Sequence, residues 1–502
     1  MRDVVHAWEY LSGESNAFRT GVKSESVVIR ARLESIPCAS LVARRNARPS
    51  VSRLVKTAAQ NSRCRVGWLP HIRCAREKTM RPALTRRGFF RFCLLALCVP
   101  VGAATCLGTP RASEGQKPKV RAITAFVRID PATYQSQIAD ALKMLRAAKA
   151  AIERGGYDVQ TIRIVTQPFP DYTRGLSRPA ALAFLQKIDE LAVRESFAPN
   201  IGPAMMRDAD DPAAMDLLGD VLCATKELNA SAIIAAADGI HWRTVRAAAS
   251  LVKHVSACSP RSQANFNFAV TAMLGPYAPF YPGAYHTGTG HQFAIGLESA
   301  NIVDEVFTAA GNNPSAAATQ LTTALAHHAQ AVERIAMQVA KETGWTYLGL
   351  DPTPAPLKDV SIGAAIEKFT GAPFGSSGTM TAASVITQAV KAVGVKHIGY
   401  SGLMLPVLED ARIAQRWGEG TVTVDALLAY SAVCATGLDT VPLPGDITED
   451  QLARILADVA SLAVKWHKPL AARLLPVAGK KAGDRTDFDD PFLVNTTLQK
   501  LP

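Results

Sequence analysis

The sequence predicts an α/β fold of parallel βαβ units, either closed into a barrel or spread as a doubly wound sheet. Three observations lead there. Strand-like and helix-like segments alternate from about residue 120 to residue 475. The loops that follow apolar strands are rich in Gly, Pro, Asp and His, and parallel α/β folds gather their chemistry in such loops. Beyond residue 110 the chain runs for about 390 residues, more than one conventional core holds but within reach of a large barrel.

The elements follow in order. Val120–Val127 reads as a strand, and Tyr134–Arg154 has an apolar period near 3.6 that stops at Gly155-Gly156. Val159–Val165 is a second strand, ended by Gln167-Pro168. Helices are expected at Ala180–Arg194 and Ala213–Leu228, then a short strand at Ser231–Ala236. Helix Trp242–Ala257, strand Phe266–Met273 and a long helix at Ala316–Glu342 continue the alternation. Strand Trp345–Leu350, helix Ala364–Phe369, a helix opening near Met380, and strand Lys396–Ile398 come next. Helices Val424–Ala435 and Glu449–Lys465 and strand Leu470–Leu475 complete a single domain over 118–490.

Charge divides the chain. Its formal net charge is +12, yet residues 1–110 hold 19 Lys/Arg against 6 Asp/Glu, leaving 36 against 37 in residues 111–502. The folded part is therefore neutral, which argues against nucleic acid and anionic membrane surfaces as partners. Cysteines divide likewise: six of nine precede residue 110, leaving Cys223, Cys258 and Cys434. Three widely spaced cysteines make no disulfide scaffold, and no C-x-x-C pair suggests zinc or redox work.

Thr85-Arg86-Arg87-Gly88-Phe89-Phe90 puts paired arginines before the apolar run Cys93–Val101, with small residues from Gly102 and again at Ala112-Ser113. That is the order of a twin-arginine export signal, expected over residues 80–113. The apolar run falls short of the roughly 20 residues a spanning helix needs. Met80 stands where such a signal would start, so residues 1–79 read as upstream sequence without a role in the fold. The expectation is a periplasmic or secreted protein that meets the twin-arginine export machinery.

Several loops could carry chemistry. Gly275–His291 combines three prolines, four aromatics and the pair His286 and His291 around Gly-Thr-Gly, which could hold a small-molecule ligand or a metal. Each histidine alone reads equally well as a ring satisfied by a backbone carbonyl. Asp351, at the end of a strand, is placed for metal ligation or proton transfer, or for capping the turn begun by Pro352. Gly375-Ser376-Ser377-Gly378 opens a helix with small residues whose N–H groups could bind an anionic cofactor group. Glu409 and Asp410 are adjacent carboxylates, so at most one points into a site. Asp439 lies in a Pro/Gly-rich loop. Arg473 sits inside an apolar strand, where burial demands a partner, and a structural ion pair to the loop carboxylates is the plainer reading.

The stretches Pro279–Gly288, Asp351–Pro356, Tyr400–Asp410, Cys434–Asp446 and Arg473–Asp484, taken in that order, resemble the domain of unknown function 711 family, also called a PFL-like family. The resemblance implies a large closed α/β barrel of the kind seen in glycyl-radical enzymes such as pyruvate formate-lyase. It implies no assigned activity. The radical-glycine signature of those enzymes, an Arg-Val-x-Gly-aromatic loop, does not follow Arg473, where Gly479 and Gly483 sit among lysines and alanines.

The expected function is thus acid/base chemistry on a small molecule, hydrolytic or lyase-type. His286, Asp351, Glu409 and Arg473 are the catalytic candidates. A divalent cation, if one takes part, would be held by His286, His291, Asp351 and Asp439. The competing expectation is a non-catalytic small-ligand-binding protein.

Overall fold

A computed structural model describes residues 116–434 and 436–501; the expected export signal at 80–113 and the residues before it lie outside the described residues. The first half of the domain runs β1 (Lys119–Val127), α1 (Tyr134–Arg154), β2 (Val159–Thr166), α2 (Phe169–Thr173), α3 (Arg178–Glu195), β3 (Ala198–Pro203), α4 (Ala213–Ala224), β4 (Asn229–Ala236), β5 (Gly239–Ile240), α5 (Trp242–Cys258) and β6 (Phe268–Ala272). The second half runs β7 (Gln292–Glu298), α6 (Ala300–Ala310), α7 (Pro314–Thr343), β8 (Thr346–Asp351), α8 (Ile362–Thr370) and α9 (Thr379–Lys391). It ends with α10 (Ala411–Gly418), α11 (Val424–Ser431), β9 (Gly437–Pro444), α12 (Glu449–Trp466) and β10 (Leu470–Val477).

Local chemistry sets the helix limits. Asn313 accepts from the N–H of Ala316 with Pro314 in the first turn, and Gly344 closes α7 at φ 75°. Thr448 and Gln451 form a reciprocal capping box at the start of α12.

The strands make one ten-stranded sheet in the order β8-β7-β1-β2-β3-β4-β6-β10-β9, with β5 beside β4. β1, β2, β3, β4 and β6 are parallel neighbours. β7 joins β1 and β10 joins β6 in antiparallel fashion, and each carries a parallel partner, β8 and β9. The expected α/β alternation is therefore present, in a mixed sheet rather than an all-parallel one. β8 and β9 do not pair with each other. The intervening segment touches both edges instead, through single bridges at Leu350–His397 and Pro406–Asp439. The expected strand at Lys396–Ile398 reduces to the first of these.

Alternation along the strands divides the two faces. Val120, Ile123, Ala125 and Val127 of β1 pack with the helices in the main core, as do Ile164 of β2 and Ala230, Ala232 and Ile234 of β4. The other face carries Thr161 and Arg163 of β2 and Asn229 of β4, which line a cavity. Chain segments fill this face: Ala278 and Phe280 with Tyr400 and Met404, and Phe488, Leu493 and Leu498 with Leu408 and Leu475.

Candidate active site

The loop after β6 folds back against the polar face. Thr124 donates its hydroxyl to the carbonyl of Pro279 at 2.9 Å, and Asn200 donates its amide to that of Pro282 at 2.6 Å. Phe280 packs so closely on Gly296 that a Cβ there would stand 2.9 Å from the ring. Between this loop tip, the Tyr400–Glu409 segment and Asp490–Phe492 lies a cavity of about 270 Å³.

Three buried arginines dominate its lining. Arg121 reaches Glu298 at 2.9 Å and Glu409 at 2.5 Å. Arg473 holds the other oxygen of Glu409, and its Nε donates to Asp439 at 2.5 Å. Arg163 differs. It is buried, its Nε donates to Thr161 Oγ1 at 2.9 Å, and its guanidinium lies 4.6 Å from the Tyr281 ring centre. No described carboxylate pairs with it. Lys226, Glu227 and Asp490 also line the cavity.

Ladder irregularities aim these side chains. The β1–β7 register slips between Val120 and Ala122, which leaves Arg121 as an extra residue facing the cavity. The β9–β10 register slips between Ala472 and Leu474, where Asp439 and Thr440 together oppose Arg473 and Thr440 takes φ 46°. Bulges of this kind commonly redirect side chains beside functional sites.

The electrostatics follow from burial and from these pairings. Burial alone would raise the Glu409 carboxyl, but Arg473 and Arg121 outweigh it and hold it below the usual range. Asp439 moves the other way, because burial outweighs its contact with Arg473 and nearby Glu409 adds to the rise. Burial, with Arg121 close by, lowers the Arg163 guanidinium to about 10. Burial also raises the Tyr400 phenol at the cavity wall.

Of the sequence-predicted residues, the structure brings together Glu409, Asp439 and Arg473, along with the tip of the 275–291 loop. The others stand apart. His286 is fully buried outside the cavity: its Nε2 lies 2.9 Å from the carbonyl of Val127, its ring stacks on Tyr277, and burial lowers its pKa. His291 is on the surface, stacked on Trp345 at 4.8 Å. Asp351 accepts from Thr353 N–H and hydroxyl and from the N–H groups of Tyr400 and Ser401, so it ties two loops together. Gly375–Gly378 form the turn before α9, where Gly375 packs on the Thr421 carbonyl, away from the cavity. Asp410 caps α10 while Glu409 faces the arginines, which is the divergence expected of adjacent carboxylates.

The proposed cation set His286, His291, Asp351 and Asp439 does not converge. Among the described residues one trio of possible ligands does, Cys223, His254 and Cys258, and it lies outside the cavity. Asp439 and Glu409 are already neutralised by guanidinium groups, whose charge opposes a cation beside them. Arg121 and Arg163 were not singled out from the sequence. Each is an arginine inside an apolar strand, the same signal that marks Arg473.

Comparison with known proteins places the chain. The family described as Uncharacterised ACR (DUF711) matches residues 113–489. A UPF0210 protein of Pyrobaculum aerophilum is 34% identical over 400 residues, covering 74% of this chain and 87% of that protein. A UPF0210 protein of Syntrophobacter fumaroxidans is 28% identical over 363 residues, covering 67% and 78%. Among solved structures, the anaerobic ribonucleotide reductase from Thermotoga maritima in complex with dATP and CTP aligns at 10% identity. It covers 75% of this chain and 79% of that one with a TM-score of 0.34, a likeness too slight to carry an argument. The match along most of the domain and the close relatives together make this chain a member of the DUF711 (UPF0210) family, whose reaction is unassigned.

Proposed function

We propose that the cavity binds a small carboxylate-bearing molecule and acts on it by acid/base chemistry of the hydrolytic or lyase type. Arg163 carries the reading. A buried guanidinium without a carboxylate partner is costly unless a ligand supplies one, and its planar fork suits a carboxylate. The Tyr281 ring lies under the guanidinium, 4.6 Å from it, and helps hold it in place. The volume of about 270 Å³ suits a metabolite-sized guest. Asp439, whose pKa burial raises, is the group in the cavity best suited to exchange a proton, and the Tyr400 hydroxyl is a second donor. Arg121, Glu409 and Arg473 form the rigid frame that positions Asp439.

Calorimetric titration with small mono- and dicarboxylates tests binding. Arg163→Ala is expected to weaken the best of them about 30-fold, the loss of one charge-assisted contact worth about 2 kcal/mol. Affinity unchanged in that variant refutes the assignment. The completeness of the Arg121–Glu409–Arg473–Asp439 network favours a second reading, a binding protein without turnover. Asp439→Asn separates the two: it abolishes turnover in an enzyme and leaves a binder's affinity nearly intact.

We further propose export by the twin-arginine route. The arginine pair and apolar run at 86–101 support it, as does the Cys223–Cys258 disulfide, which suits an oxidising compartment. A reporter fused to residues 80–113 reaches the periplasm if this is right, and Arg86→Lys with Arg87→Lys stops it.

A further inference from the structure

Away from the cavity, α4 and α5 bring three soft-metal donors together. His254 and Cys258 are four residues apart on α5, so one helix face presents both. Cys223, one residue from the end of α4, faces them: its Sγ lies 3.7 Å from Nε2 of His254. The donor atoms of the trio all lie within 4.8 Å of one another. Cys223 and Cys258 are joined as a disulfide with their Cα atoms 5.8 Å apart. Gly219, one turn before Cys223, lets the imidazole lie flat on α4, since a Cβ there would stand 2.9 Å from the ring.

A disulfide needs no third partner, yet here a ring nitrogen is held against one of its sulfurs. In a tetrahedral zinc site, bonds of about 2.3 Å to sulfur and about 2.0 Å to nitrogen set neighbouring donors roughly 3.5–3.8 Å apart. The Cys223–His254 separation already falls in that range. Only the two sulfurs are too close, and cleaving their bond lets the side chains rotate apart. His254 and Cys258 are exposed, so an ion can reach the trio and water can complete its shell.

The geometry points to a redox-gated metal site, in which the reduced thiolates of Cys223 and Cys258 and Nε2 of His254 bind one zinc-class cation. A dithiol reductant supplies two electrons and two protons, breaks the S–S bond and leaves as its own disulfide. The divalent ion then displaces the two thiol protons and forms two metal–sulfur bonds and one metal–nitrogen bond. Reoxidation by a disulfide-class oxidant remakes the S–S bond and releases the ion.

The test uses the full chain, reduced anaerobically with a phosphine, desalted, and titrated with cobalt(II). One equivalent is expected to give a thiolate-to-cobalt charge-transfer band with the intense visible bands of tetrahedral coordination, both removed by zinc(II). The oxidised protein shows neither. Cys258→Ser loses the charge-transfer band although every other cysteine of the chain is retained. His254→Ala, which keeps the disulfide and folds in the oxidised state, loses the tetrahedral bands after reduction. A full band in Cys258→Ser overturns the site. So does the absence of any band in reduced wild-type protein whose circular dichroism matches the oxidised form.

Discussion

At the scale of single residues, Glu409 is the pivot. Both its oxygens are taken, one by Arg121 and one by Arg473, and little of the side chain meets solvent. Removing one partner of a buried ion pair leaves uncompensated charge, at a cost of about 3–5 kcal/mol. Glu409→Gln is therefore expected to lower the free energy of unfolding by about that much, read by urea denaturation at pH 7. The pH dependence has a definite sign. The folded-state pKa lies below the unfolded value, so the contribution of Glu409 is present above the ordinary carboxylate range and disappears as pH falls through the depressed value. Asp439 has the opposite shift, and in an enzyme it sets the limb of the rate profile above the usual aspartate range. A wild-type profile without a limb there, or an Asp439→Asn variant that keeps turnover and the limb, assigns the proton to another group.

At the scale of elements, much of the chain was legible and the failures have physical causes. Nearly every long helix was visible from its run of helix-compatible residues, as α7 and α12 illustrate. β9 was not: Pro442, Pro444 and Gly437 read as a loop, but a strand paired on one side tolerates proline because its outer N–H positions need no partner. β7 was missed because it follows a loop instead of a helix and runs antiparallel to β1. Of the site, Glu409, Asp439 and Arg473 could be read because each is a charge where an apolar or turn residue is expected. Arg121 and Arg163 offered the same signal inside segments taken as plain strands. No pattern in the sequence announces the register slips that aim Arg121 and Arg473. The 275–291 loop was recognised by composition, and its inward fold leads to a prediction. A Cβ at Gly283 would meet Thr271 at 2.7 Å and the Tyr400 hydroxyl at 3.0 Å. Gly283→Val should push the tip away from Tyr400 and weaken carboxylate binding roughly tenfold, while the helical circular dichroism stays unchanged.

At the scale of the whole molecule, two features govern stability. The Cys223–Cys258 bridge closes a loop of 35 residues, for which chain entropy gives about 3–4 kcal/mol. Reduction without added metal should lower the unfolding free energy by about that amount, and stoichiometric zinc should restore part of it. Asp351 acts through pH. Burial raises it to about 6 despite four hydrogen bonds, so the folded state holds a proton that the unfolded chain releases. Its contribution is complete below the ordinary aspartate value and declines as pH rises through 6. Asp351→Asn should flatten that decline between about pH 4 and 6 in a series of thermal melts.

The ion network spans the domain in another sense. Arg121 and Glu409 are 288 residues apart, and Arg473 lies 64 beyond Glu409. A nascent chain leaving the ribosome exposes Arg121 long before Glu298 and Glu409 emerge to pair with it, and Arg473 reaches Glu409 only once β10 has emerged. Products truncated before β10 therefore lack Arg473 and leave Glu409 and Asp439 without it, and a ligand that protects the complete chain from proteolysis is expected to leave such fragments unprotected.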